Sequence, residues 1–203
     1  MIHRRTFALA GAAALFSGAA RATETDEMTI GAANAPLHLI EYASATCPHC
    51  AHFHETNFAL LKSNYIDRGS VRLTMREMLT PPPAVALAMF QVARCAGAGA
   101  DEYFRRLGVL FARRQAILES GTMAGVRDAL FAIGGEWGLS NNQVWGAISD
   151  PAGAVRVRRS IEEASARGVN GTPAFFLNGQ RVTDPNFLTP DGMSIILDAA
   201  LAN

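Results

Sequence analysis

The sequence predicts an α/β fold in which a parallel βαβ unit is followed by a long helical insertion, a hairpin and a closing helix. Three patterns carry this expectation. Strand-length apolar runs at residues 37–43 and 71–78 flank a helical stretch from 48 to about 66. Helical spacing then dominates from Pro81 to about Arg167. Strand character returns after Gly168, with a hairpin turn at Asn178-Gly179.

Residues 1–22 precede this order and read as an export signal. Arg4 and Arg5 give a basic start, residues 7–20 are apolar, and Ala20-Arg21-Ala22 has the small-x-small pattern of a cleavage site, so a mature chain would begin at Thr23. Arg4-Arg5-Thr6-Phe7 also resembles a twin-arginine motif, which leaves the general secretory and twin-arginine routes both open. No later segment approaches the roughly 20 uninterrupted apolar residues of a spanning helix, so the expectation is a soluble exported protein. The 203 residues, 49% of them hydrophobic, suffice for one ordinary core with room for an insertion. Removing the leader's three arginines leaves 15 basic against 18 acidic residues, a net charge of −3 that gives no support for nucleic-acid binding. The arginine pairs at 105/106, 113/114 and 158/159 are expected on solvated helix faces.

Leu37-His38-Leu39-Ile40-Glu41-Tyr42-Ala43 reads as a mostly buried strand, and the helix after it buries Phe53, Leu60 and Leu61. With the second strand this forms a parallel unit, whose reactive groups collect at the carboxyl ends of its strands. Pro81-Pro82-Pro83 closes the unit. Within the insertion, from about 82 to 167, Val85, Met89 and Val92 and then Phe104, Leu107, Leu110 and Phe111 recur at helical spacing. Glycines at 97, 99, 121, 134, 135 and 138 divide it into short helices. The stripes read as core, with no cofactor box among them. Ala174-Phe175-Phe176-Leu177 and Gln180-Arg181-Val182 form the hairpin, and a helix over 190–201 completes the element order of a thioredoxin fold interrupted by a helical subdomain.

Cys47-Pro48-His49-Cys50 follows the first strand and opens the helix. Two thiols at that spacing can close a disulfide with each other, and the unpaired N–H groups and partial positive charge of a helix start favour a thiolate at Cys47. That is reversible redox chemistry. An oxidising compartment permits disulfides, yet a domain of this size needs no disulfide scaffold. A zinc-binding module is the competing reading, since Cys47, His49, Cys50, His52 and His54 fall within eight residues. Structural zinc sites usually draw on two separated clusters, and the sequence has no second one. Cys95, in the insertion, reads as a small buried apolar residue.

Together with Val169-Asn170-Gly171-Thr172-Pro173-Ala174-Phe175-Phe176, the cysteine motif resembles the bacterial DsbA-like thiol:disulfide oxidoreductases of the cell envelope, over residues from about 28 to the C-terminus. The resemblance implies that substrates attack Cys47, that Pro48 and His49 belong to the site with His49 tuning the thiolate, and that Cys50 is the buried partner. The Cys47–Cys50 disulfide would be the redox group, with no external cofactor. Pro173 resembles the family's cis-proline, with Thr172 offering its backbone to an extended substrate; an ordinary trans proline starting a strand is the alternative. Glu41, an acid inside an apolar strand, resembles the buried acid that moves protons to and from the buried cysteine; the alternative is an outward-facing residue on a strand edge.

Exported proteins with reduced cysteines would then be the substrates, a quinone-linked membrane protein of the DsbB type the reoxidant, and the periplasm the compartment. Isomerases of this superfamily carry an extra N-terminal dimerisation domain, whereas only residues 23–36 separate the leader from the first clear strand. A monomeric oxidase is therefore expected over an isomerase or reductase, although Thr before the cis-proline also occurs in those enzymes.

Overall fold

The computed structural model describes residues 27–202, so the signal reading of residues 1–22 lies outside the described part of the chain. Its sheet has five strands, β1 (Met28–Ile30), β2 (Leu37–Ala43), β3 (Val71–Glu77), β4 (Ala174–Leu177) and β5 (Gln180–Arg181), in the order β1-β3-β2-β4-β5. β2 and β3 run parallel, with Leu37 beside Val71 and Ala43 beside Glu77, and every other pairing is antiparallel. The expected α/β order is the one the chain adopts.

Alternation along β2 assigns the two faces of the sheet. Leu37, Leu39 and Ala43 join the main core, while Ile40 and Tyr42 pack on the opposite face with Ala164 and Phe176. Glu41, one residue from each of Ile40 and Tyr42, falls on the main-core side. That face is covered by α1 (Pro48–Thr56), α4 (Ala100–Ala112) and α9 (Pro190–Leu201), which contribute Phe53, Leu107 and Leu197 to one cluster.

The helical insertion comprises α3 (Pro83–Ala93), α4, α5 (Arg114–Glu119), α6 (Met123–Glu136), α7 (Asn141–Ile148) and α8 (Pro151–Ala166). Its starts are written locally. Ser140 and Gln143 form a reciprocal capping box at α7, and Thr122 and Asp150 accept backbone N–H groups at α6 and α8. The core stripe of α4 is as expected, with Phe104, Leu107, Leu110 and Phe111 all buried.

Three local expectations are corrected. The helix expected over 48–66 breaks at the fully buried Asn57, whose side chain accepts from the Thr56 hydroxyl at 2.6 Å; α2 (Phe58–Leu61) and a π-helical turn (Lys62–Ile66) follow. Asparagine competes with the helix for its own hydrogen bonds, which explains the break, and Leu60 is left half-buried. Arg106 is buried rather than solvated. Its guanidinium pairs with Glu102 at 2.6 Å, donates to the Cys95 carbonyl at 2.8 Å and lies 5.2 Å from the Trp137 ring. Finally β1, absent from the sequence reading, pairs with the outer edge of β3.

Candidate active site

Parallel pairing of β2 and β3 brings both strands to the same end, and the turn after β2 places Cys47 there as the N-cap of α1. Pro48 occupies the first helical position, where it has no N–H to waste and its fixed φ suits a helix. No side chain caps this start. The amides of His49 and Cys50 are turned to the Cys47 sulfur instead.

The thiol of Cys47 is lowered from an ordinary value of 9.0 to about 5. The largest cause is the Cys50 side chain, which donates to it; burial opposes the shift, and the Thr172 side chain and the two amides reinforce it. The Thr172 hydroxyl is buried and has no hydrogen-bond partner. The Thr172 carbonyl lies 3.3 Å from the same sulfur and accepts from it when it is protonated. Cys50 shows the reverse behaviour. Burial, its hydrogen bond to Cys47 and the charge of Glu41 push its thiol far upward. The two sulfurs of one motif are thus driven in opposite directions, with both cysteines free in this structure.

Cover differs along the motif. Cys47 is only 4% exposed against 0% for Cys50, so the outer cysteine is nearly as covered as the inner one. His49 acts on Cys47 through its backbone N–H, while its side chain stands in solvent.

The other expected residues converge on the same place. Thr172–Pro173 is a cis peptide bond, so the trans alternative does not apply. Glu41 is fully buried in β2, which removes the alternative of an outward-facing edge residue. Both its carboxylate oxygens accept from His54 Nε2, at 2.9 and 3.1 Å. Cys95 is buried, and its sulfur donates to the Gln143 carbonyl at 3.4 Å.

Sequence reasoning treated His54 only as a metal ligand and missed the pair it makes. Its signal was a spacing: Cys50, Phe53 and His54 form an i, i+3, i+4 stripe, and all three are buried on one face of α1. Among the described residues no group of three or more His, Cys, Asp and Glu side chains is arranged to hold a metal ion. Also unforeseen is a hydroxyl cluster that ties down the turn before Cys47. The Thr46 hydroxyl donates to the Thr80 carbonyl at 3.0 Å, Ser44 accepts from the Thr80 hydroxyl at 2.9 Å, and Arg114 reaches the Thr46 carbonyl at 3.3 Å.

Comparison with known proteins agrees with this geometry. A Rickettsia conorii protein named for protein-disulfide oxidoreductase activity is 27% identical over 179 residues, which cover 88% of this chain and 61% of that protein. A Rickettsia typhi protein of the same name is also 27% identical, with 88% and 63% covered. The chain therefore spans about three fifths of the length of the curated relatives it matches. Wolbachia pipientis α-DsbA1 shares the fold at a TM-score of 0.73 and 20% identity, with 87% of this chain and 91% of that one covered. A protein-disulfide isomerase from Novosphingobium aromaticivorans does so at 0.69 and 18%, with 88% and 98% covered. The architecture is thus a DsbA-like thioredoxin fold with a helical insertion. A family model described as thioredoxin matches residues 23–199, a span that takes in the whole site, and the chain belongs to that family.

Proposed function

We propose that this chain is a thiol:disulfide oxidoreductase that donates its Cys47–Cys50 disulfide to exported proteins during oxidative folding. The observation that carries this reading is the opposed tuning of the two thiols, Cys47 down to about 5 and Cys50 far up. A substrate thiolate attacks the Cys47 sulfur, the Cys47–Cys50 bond breaks, and Cys50 leaves with the electron pair and takes a proton. A second substrate thiolate then attacks the substrate sulfur of the mixed disulfide, and Cys47 leaves as the stabilised thiolate. The substrate departs with one new disulfide, and the enzyme is left as a dithiol.

Stabilising the Cys47 thiolate stabilises the reduced enzyme and so makes its disulfide the stronger oxidant. The Thr172 hydroxyl works in the same direction. Glu41, buried and electrostatically coupled to Cys50, is the proton donor for the leaving thiolate in this reading. Pro173 and the Thr172 backbone hold the substrate segment beside Cys47.

The remaining parts of the proposal rest on the sequence. Residues 1–22 would direct export to the periplasm, residues 23–203 would form one domain, and a quinone-linked membrane protein of DsbB type would reoxidise a monomeric enzyme. No helix among the described residues is long and apolar enough to cross a membrane. The test is covalent trapping. Cys50→Ala leaves Cys47 without its resolving partner, so mixed disulfides with exported proteins are expected to accumulate on it in cell envelopes. Absence of such adducts on the folded variant would refute the mechanism.

A further inference from the structure

One buried titratable group, His54, is used by none of these steps. Its side chain is 2% exposed, and Nε2 is the atom that meets both oxygens of Glu41. Aromatic rings enclose the rest of the imidazole, with Phe111 at 4.5 Å, Phe58 at 5.0 Å and Phe53 at 6.0 Å between centroids. Nδ1 is buried and has no hydrogen-bond partner. A second ring proton would sit there as an unmatched donor among apolar groups. Of the two ring nitrogens, Nε2 is the one placed to donate to the carboxylate.

The other ionisable groups near this pair are engaged elsewhere. Cys50 and Cys47 of α1 hydrogen-bond each other, and the Tyr103 hydroxyl of α4 donates to Glu77 of β3 at 2.9 Å. Arg94 of α3 pairs with the same Glu77 at 2.8 Å. His54 reaches Glu41 from one turn beyond Cys50 on α1.

We propose that His54 is the positioning residue of the proton-transfer step, a neutral imidazole whose Nε2–H clasps both oxygens of Glu41 and aims the carboxyl group at Cys50. The proposal rests on the thiol:disulfide reading above. Its content is that orientation by a neutral donor matters here, and not neutralisation of Glu41 by a cation.

A two-phase reaction separates these roles. The reduced enzyme is mixed with dithiobis(nitrobenzoate). In the first phase the Cys47 thiolate attacks the reagent's disulfide, forming Cys47–S–S–aryl and releasing one nitrothiobenzoate. In the second, Cys50 gives its proton to Glu41 and attacks the Cys47 sulfur; the aryl disulfide breaks, Cys47–Cys50 forms and a second nitrothiobenzoate leaves. The first phase reads Cys47 and the integrity of the fold, and the second reads Cys50, Glu41 and His54.

His54→Phe is expected to leave the first phase unchanged and to slow the second about 10-fold, a part of the usual acid–base contribution. His54→Gln, which keeps an uncharged N–H, should recover the second phase to within about 3-fold of wild type, and His54→Lys should remain about 10-fold slow. In a Glu41→Gln background, already slow, His54→Phe should have no further effect. An unchanged second phase in His54→Phe, additivity with Glu41→Gln, or rescue by lysine but not glutamine would each overturn the proposal. If the phenylalanine variant fails to fold, the order of glutamine and lysine decides alone. A wild-type enzyme with no second phase would instead overturn the thiol:disulfide reading, and this inference with it.

Discussion

Replacing Cys50 by alanine removes the contact that lowers the Cys47 thiol most. At pH 7 an ordinary thiol at 9.0 is about 1% ionised, whereas one at about 5 is about 99% ionised, a gain of about 100-fold in thiolate. A hydrogen bond to a charged group contributes about 1.5–3 kcal/mol, equivalent to roughly 1–2 pH units. The Cys47 titration of Cys50→Ala should therefore rise from about 5 to roughly 6–7, with the Thr172 hydroxyl and the amides of His49 and Cys50 holding the rest of the shift. The rate of alkylation by iodoacetamide against pH reads both midpoints, because the thiolate is the reacting form. A wild-type midpoint in the ordinary thiol range, or no movement on removing Cys50, would refute this reasoning. The sign for stability follows from the same shift. Because the folded-state value is depressed, the reduced protein carries a stabilisation that is full above pH 9, declines as pH falls, and is gone below about 5. The oxidised form has no such dependence, so the stability gap between the two should widen in favour of the reduced form as pH rises through that window.

Other perturbations test the frame around the site. Glu77 is 4% exposed and accepts from both Arg94 and Tyr103, so Glu77→Ala should destabilise the fold by about 3–5 kcal/mol, against about 1 kcal/mol for Tyr103→Phe, as measured by urea denaturation. Equal effects would mean that the pair is not a buried anchor. Gly31 has φ +99°, and a Cβ there would stand 2.4 Å from the Val71 carbonyl, so Gly31→Ala should cost about 1–3 kcal/mol and lower Tm without altering Cys47 alkylation at neutral pH. A change in alkylation would show that the β1 edge is coupled to the site.

Legibility in the sequence followed the range of the interactions. β2 and the hairpin at Asn178-Gly179 were readable because a short apolar run and turn chemistry are local. The cysteine motif was readable because its chemistry comes from a helix start two to three residues long. The break at Asn57 was missed because an apolar stripe outweighed a single polar residue, and β1 because three residues cannot show a period. Arg106 could not be placed from its own helix, since the carbonyls of Ala93 at the end of α3 and Cys95 in the turn after it bind its guanidinium. The same limit hid His54. Its partner Glu41 is thirteen residues away on a strand, and the pair exists only once β2 alternation and the face of α1 are fixed together. The His49 amide reaches the sulfur because unpaired backbone N–H groups collect at a helix start.

The most direct test is the reduction potential of the Cys47–Cys50 couple, obtained by equilibrating the purified protein with glutathione buffers. Opposed tuning of the two thiols should place it toward the strongly oxidising end, nearer to roughly −120 mV, as for DsbA, than to roughly −270 mV, as for thioredoxin. A value at or below that of thioredoxin would contradict disulfide donation and make the chain a reductase.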